Sequence, residues 1–196
     1  MMNNKMTWKN DQVSAKETEY ILETAKECLA VSGDFVELGC YKGDTSLLLA
    51  ELLKDSSKQL WIYDSFEGLP EKTNFDASPL GEDFKEGELL VTKREVKERF
   101  LRAGLKVPVI KKGWFKDFSG ADLPSEIAFC FLDGDFYESI RDGLLLVENL
   151  LNLNAVLIVH DYNNPALPGV KKAVDEWIGT RRLQVLESCA IISEKE

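Results

Sequence analysis

The sequence predicts an α/β protein, a mostly parallel β-sheet covered by helices on both faces. Short apolar runs alternate along the chain with longer segments of helical periodicity, the pattern of successive βα units. The runs Ile127 to Leu132 (IAFCFL) and Ala155 to Val159 (AVLIV) are among the most apolar in the chain, as expected of strands buried under helices on both sides. At 196 residues and 44% hydrophobic content, the chain has material for one core and too little length for two, so residues 1–196 are read as a single domain.

The elements follow in order. From Ser14 to Val31, the residues Tyr20, Ile21, Leu22, Ala25, Cys28 and Leu29 fall near helical spacing. This predicts an amphipathic helix that ends by Gly33, closes an N-terminal segment 1–32 and packs beside the sheet edge. Asp34 to Leu38 reads as a strand, Gly39 to Asp44 as a glycine-bearing turn and Thr45 to Leu53 as a helix. Gln59 to Tyr63, Val107 to Lys111, Ile127 to Leu132 and Ala155 to Val159 supply four more strands. Helical patterns cover Thr92 to Ala103, Glu138 to Leu151 and Val170 to Gly179, and the segments Leu183 to Leu186 and Ala190 to Ile192 close the chain as an antiparallel pair at one edge. Phe66 to Val91 is long, acidic and broken by Gly68, Pro70, Pro79, Gly81 and Gly87. Its alternatives are a disordered surface insertion or a lid, and Phe75, Leu80 and Phe84 favour the lid because apolar side chains need something to cover.

Composition excludes several classes. The formal charge is −10 and the Lys and Arg residues are scattered, so no basic track for nucleic acid is expected. Cys28, Cys40, Cys130 and Cys189 are widely spaced with no CxxC pair, which points to a reducing, cytoplasmic compartment. The segment Met1 to Asp11 is polar and no apolar run approaches the roughly 18 to 20 residues of a membrane span, so neither export nor membrane insertion is expected.

Parallel sheets bind ligands beyond the carboxyl ends of their strands, which makes the residues after each strand the candidates for chemistry. After the first strand, Glu37-Leu38-Gly39, then Tyr41, Gly43 and Thr45, offer a close backbone approach and the amides of a helix N-terminus. The spacing is GxxxG, which departs from the GxGxxG dinucleotide fingerprint and disfavours a nicotinamide enzyme. Asp64 ends the second strand where an acidic residue would accept bonds from ribose hydroxyls, with a turn cap as the alternative. Asp133-Gly134-Asp135 and His160-Asp161-Tyr162 follow the two apolar strands named above. If those strands are neighbours, about 4.8 Å apart, then Asp133, His160 and Asp161 converge on one divalent ion. A structural ion pair is the alternative. His160 is the only histidine, and either ligates an ion such as Mn²⁺, Fe²⁺ or Zn²⁺ or serves as a general base.

Taken together, the strings VELGCYKGDTS (Val36 to Ser46), YDSFEGLP (Tyr63 to Pro70), GWFKDF (Gly113 to Phe118), FLDGDFYES (Phe131 to Ser139) and VHDYNNP (Val159 to Pro165) resemble the macrocin O-methyltransferase family (TylF/MycF-like), within the class I S-adenosylmethionine-dependent methyltransferases. The resemblance implies a three-layer, Rossmann-like fold whose seven-stranded sheet has six parallel strands and one antiparallel strand. It implies S-adenosylmethionine as cofactor, with Glu37 and Gly39 at its methionine end, Asp64 and Ser65 at the ribose, and Gly113 and Trp114 at the adenine. It also implies a divalent metal, commonly magnesium, at Asp133, His160 and Asp161. The family usually has Asp-Asp-Tyr where this chain has His160-Asp161-Tyr162, and the histidine moves the expectation toward Mn²⁺ or Fe²⁺.

The expected reaction is metal-assisted methyl transfer to a hydroxyl of a sugar or glycoside, a small-molecule or carbohydrate acceptor, with Asp133, Asp135 and His160 as the candidates for handling the proton. Asp135 has two alternatives, anchoring substrate or capping the following helix. The competing functions are a metal-dependent catechol or phenol methyltransferase, for which Trp114, Phe115, Phe136 and Tyr137 would line the pocket, and a cofactor-binding protein without turnover. A homodimer is expected only from the habit of related enzymes.

Overall fold

The structure is a computed structural model that describes residues 10, 12–81 and 84–194. The polar N-terminal stretch, apart from Asn10, lies outside the described residues. Seven strands form one sheet: β1 (Asp34–Leu38), β2 (Leu60–Asp64), β3 (Val109–Lys112), β4 (Ile127–Leu132), β5 (Leu151–Val159), β6 (Arg182–Leu186) and β7 (Cys189–Ser193), in the order β3-β2-β1-β4-β5-β7-β6. β7 runs antiparallel to both β5 and β6, and the other neighbouring pairs are parallel. This is the mostly parallel sheet expected, with β7 slotted between β5 and the edge strand β6.

Among the described residues, five α-helices cover the two faces: α1 (Ala15–Glu27), α2 (Asp44–Leu52), α3 (Lys93–Ala103), α4 (Tyr137–Val147) and α5 (Pro168–Trp177). Alternation along the strands divides the core. Phe35, Phe129, Phe131 and Ile158 face α1, α2 and α3, meeting Ile21, Leu47 and Phe100. Val36, Leu38, Leu132 and Val159 face α4 and α5, meeting Ile140, Leu144, Val170 and Val174. The first helix therefore lies on a face beside α2, and the expectation that it packs at the sheet edge is corrected. Ile21, Ala25 and Cys28 are buried in that core, with Tyr20, Leu22 and Leu29 packed against it. Among the described residues, no helix is long and apolar enough to cross a membrane.

A second correction concerns the boundary between α4 and β5. The helical pattern extends in sequence through Leu151, but the helix stops at Val147 and Leu151 already pairs with Ile127 in the parallel ladder. Leucines at 150, 151 and 153 fit either period, so periodicity alone does not place the break. The strand begins ahead of its buried half, and its outer end is held where Asn152 donates to Glu126 at 2.6 Å.

Between β2 and α3, the described part of 66–91 is closed on itself at its base and bonded to the start of α4 at its far end. At its base, Leu69 N–H donates to the Glu88 carbonyl and Gly87 N–H donates back to that of Leu69. At its far end the buried Asp76 accepts from Thr73 N–H and, at 2.7 Å, from the Tyr137 N–H at the start of α4. Phe84 packs against the second core, whereas Phe75 stacks on Tyr137 at 4.6 Å and stays half exposed, as does Leu80. Those two side chains do not cover the cavity described below. Asp76 supplies a cap that α4 lacks in its own sequence. Asp76→Ala is expected to lower stability by about 1 to 2 kcal/mol. In a chain of this size that is a fall of roughly 2 to 4 °C in melting temperature per kcal/mol, and an unchanged melting curve would show that the cap contributes nothing.

Candidate active site

The carboxyl ends of β1, β2, β4 and β5 open into a cavity of about 530 Å³, within the range of small-molecule sites. Glu37, Gly39, Tyr41, Thr45, Asp64, Ser65, Gly113, Trp114, Asp133, Asp135, His160 and Asp161 all stand on its wall. Of the expected site residues only Gly43 does not. It is the left-handed N-cap of α2, where a Cβ would lie 3.3 Å from Val96 of α3.

The chain leaves β1 through Gly39 at φ +85°, its N–H bonded to the Tyr63 carbonyl. A Cβ there would sit 1.9 Å from the Asp133 carbonyl oxygen, so the crossing of the exits from β1 and β4 demands glycine. Asp64 then binds the turn: Oδ2 accepts from Cys40 and Tyr41 N–H at 2.8 and 3.2 Å, and Oδ1 from Phe66 N–H at 2.7 Å. The turn-cap alternative for Asp64 is thus what the structure contains, with the carboxylate still bordering the cavity. Ser65 Oγ donates to the Gly68 carbonyl and accepts from Glu67 N–H, which accounts for the compact DSFEG turn.

Glu37 is buried on the α2 side of β1 and accepts a hydrogen bond from the Ser46 hydroxyl. Burial pushes its carboxyl up to about 8, against the Ser46 bond and with help from the nearby Asp133, Asp64 and Asp44. It is therefore largely a neutral acid at pH 7. A cationic ligand group beside it must first expel that proton, so affinity for such a ligand is expected to climb as pH rises toward about 8 and to level off above it. The folded carboxyl lies above its ordinary 4.5, so its contribution to stability is full below 4.5 and is lost as pH rises through about 8. Glu37→Gln is expected to remove both dependences. Denaturation midpoints at pH 6 and pH 9 check this, since a variant that loses as much stability as wild type across that interval would contradict the assignment.

At the ends of β4 and β5 the convergence expected from sequence is present. His160 Nδ1 lies 3.1 Å from Asp133 Oδ1 and 3.1 Å from Asp161 Oδ2, and one ligand atom from each residue falls within a 4.8 Å cluster. The strands are neighbours, and His160 N–H continues the ladder to the Leu132 carbonyl. Asn164 donates to Asp161 Oδ1 at 2.9 Å, leaving Oδ2 for the imidazole. Burial opposes charge on His160, but Asp133, Asp161 and Glu17 outweigh it and hold the ring protonated well above the ordinary histidine range. Without an ion, the trio is an ion pair, the alternative that the sequence left open.

Asp135 adopts φ +59° and has its carboxyl raised well above the usual range, first by burial and then by Asp133 and Asp161. It does not cap α4. Phe136 occupies the N-cap position without a side-chain bond, and Asp76 meets Tyr137 N–H instead.

Sequence reasoning missed the N-terminal contribution. Asn10, Gln12 and Val13 line the cavity, and Asn10 Nδ2 donates to Thr45 Oγ1 at 2.9 Å. Glu17 is buried with Oε2 3.9 Å from His160 Nε2, and the histidine first, then Ser188 and Ser14, hold it ionised well below the carboxylate range. The Ser14/Glu17 capping box was the available signal, and it announces a helix start, not a partner across 143 positions of chain between Glu17 and His160. Cys189 lies near the same pair, with burial pushing its thiol up to about 12. All four cysteines are free and buried.

The chain is similar to several O-methyltransferases. The chain is 31% identical over 170 residues to 8-demethyl-8-(2,3-dimethoxy-alpha-L-rhamnosyl)-tetracenomycin-C 4'-O-methyltransferase of Streptomyces olivaceus, covering 82% of this chain and 63% of that protein. It is 29% identical over 178 residues to demethyldecarbamoylnovobiocin O-methyltransferase of Streptomyces niveus, covering 80% and 64%. The chain thus spans less than two thirds of the length of these relatives. The solved structure of the O-methyltransferase NovP superposes with a TM-score of 0.79 at 26% identity, covering 92% of this chain and 80% of that one. The calicheamicin methyltransferase CalS11 shares the fold, with a TM-score of 0.75 at 17% identity over 93% and 81%. The macrocin O-methyltransferase (TylF) family model matches residues 16–190, nearly the whole described domain, and the chain belongs to that family.

Proposed function

We propose that this protein transfers the methyl group of S-adenosylmethionine to a hydroxyl of a sugar or glycoside, with a divalent ion held at Asp133, His160 and Asp161. The observation that carries the reading is the meeting, in one cavity, of a cofactor-type wall from β1 and β2 with a two-carboxylate, one-imidazole cluster from β4 and β5. Family membership and the names of the relatives, which include a mycinamicin III 3''-O-methyltransferase of Micromonospora griseorubida, support the sugar hydroxyl as acceptor.

The residues present fit both groups. For the cofactor there is a buried carboxyl, Glu37, for an ammonium, Asp64 and Ser65 for ribose hydroxyls, and the flat Trp114 ring for adenine. For the metal, one ligand atom from each of two carboxylates and an imidazole lies within 4.8 Å of the others, a set that suits Mn²⁺ or Fe²⁺ as well as Mg²⁺. When bound, the cofactor supplies an electrophilic methyl and the ion lowers the pKa of the acceptor hydroxyl.

The protein's own task is to orient the acceptor and take its proton. Asp133, 21% exposed at the cavity, is the carboxylate placed to accept that proton. Asp135 stands beside it, and its raised carboxyl suits donating a hydrogen bond to the acceptor. Glu67, Glu71, Glu86, Ser139 and Asp142 add polar groups to the wall, which matches a polyhydroxyl acceptor better than a catechol. Of the four aromatics considered for a catechol pocket, Trp114 and Phe115 line the cavity, while Phe136 is buried in the second core and Tyr137 stacks on Phe75.

The test is S-adenosylhomocysteine formation against a panel of glycosides, sugars and catechols, with EDTA or with added Mg²⁺, Mn²⁺ or Fe²⁺. Turnover on glycosides that EDTA abolishes supports the proposal. Turnover indifferent to EDTA removes the metal, preference for catechols changes the acceptor, and cofactor binding with no turnover on any acceptor points to a binding protein.

A further inference from the structure

We propose that Glu17, on the N-terminal helix, fixes the tautomer of His160 with the hydrogen on Nε2, and so aims the Nδ1 lone pair at the ion shared with Asp133 and Asp161. The inference rests on the metal-assisted reading above and adds a positioning residue to it.

The two ring nitrogens face different surroundings. Nδ1 is 3.1 Å from each of two carboxylate oxygens. Ligand atoms about 2.1 Å from one ion and at right angles are roughly 3 Å apart, so Nδ1 already has, to each of the two carboxylate oxygens, the spacing of adjacent coordination positions. Nε2 points the other way, toward Glu17 Oε2 at 3.9 Å, in a region where both side chains are less than a tenth exposed. Both Glu17 oxygens accept hydrogen bonds, Oε2 from Ser14 N–H and Oε1 from Ser188, so the side chain faces the ring as an acceptor, the nitrogen facing it keeps its hydrogen, and the other nitrogen is the one left to ligate. A carboxylate behind a ligating histidine typically strengthens metal affinity 10- to 100-fold in just this way.

Glu17 is held in place independently of any ion. Its Oε2 accepts from Ser14 N–H at 3.0 Å, and its Oε1 accepts from Ser188 N–H at 3.0 Å and from the Ser188 hydroxyl. Ser188 sits in the turn between β6 and β7, so the start of α1, the end of β5 and the edge hairpin meet at this one histidine. Glu17→Gln keeps a carbonyl for Ser188 and presents an amide N–H₂ to Nε2, which favours the reversed tautomer.

His160 is the only histidine, so in protein prepared without a histidine tag its imidazole nitrogens are the only ones in a long-range ¹⁵N–¹H spectrum. With Zn²⁺ as a diamagnetic probe, wild type is expected to show hydrogen on Nε2 and the metal on Nδ1. Calorimetric Mn²⁺ affinity is expected to fall about 10- to 100-fold in Glu17→Gln, and to hold in Ser14→Ala, which disturbs the same helix cap and spares the carboxylate. In a His160→Asp background, Glu17→Gln is expected to leave metal affinity unchanged. Wild-type affinity and tautomer in a folded Glu17→Gln would overturn the inference and leave the metal reading standing. Hydrogen on Nδ1, with the metal on the Glu17 and Cys189 side, would overturn it as well, and a wild type that binds no ion would overturn both.

Discussion

Asp133→Asn is expected to lower methyl transfer by at least about 100-fold with the protein still folded, the loss typical when a general base is removed. The side chain is positioned by the backbone, since Asp133 N–H donates to the Leu38 carbonyl as β4 leaves the sheet. Asparagine keeps the shape and one acceptor oxygen but not the charge that would pair with the imidazole and take the acceptor's proton. The loss of that charge also removes the push that Asp133 exerts on the neighbouring Asp135 carboxyl. Activity and melting temperature should therefore part company. Rates of S-adenosylhomocysteine formation measured beside a thermal melt check this, and near wild-type turnover would place the proton acceptor elsewhere.

Gly39→Ala is expected to be the most damaging small substitution at the site. Two costs add. A left-handed backbone costs a non-glycine residue roughly 1 to 2 kcal/mol. The added methyl would also meet the Asp133 carbonyl oxygen at 1.9 Å, where both partners are backbone and neither rotates away. Together these put the loss above about 4 kcal/mol, in the exceptional range for one substitution. Gly104→Ala isolates the first cost, because Gly104 has φ +68° as the C-cap of α3 with nothing within 4 Å of where the methyl would stand, and about 1 kcal/mol is expected there. Chemical denaturation of the two variants separates clash from strain, and similar losses would mean that the β1 and β4 exits tolerate displacement.

Much of the architecture was legible in the linear chain because its signals are local. Strand and helix periods mark most elements to within a few residues, and strand-end strings such as LDGD and VHDY put Asp133, His160 and Asp161 where a parallel sheet presents its chemistry. The α4 to β5 break was not legible, because the leucines there satisfy both periods and pairing with Ile127 decides where the strand begins. Other features exist only between segments far apart in sequence. The demand for glycine at 39 comes from a second strand exit crossing it, the cap of α4 comes from Asp76 in the loop after β2, and the protonated state of His160 comes from three carboxylates on two other elements and its own neighbour. Sequence alone determined which residues stand at the ends of the strands. The tertiary structure decided their charge, their partners and their rigidity, because burial and hydrogen bonding act through space and carry no period along the chain.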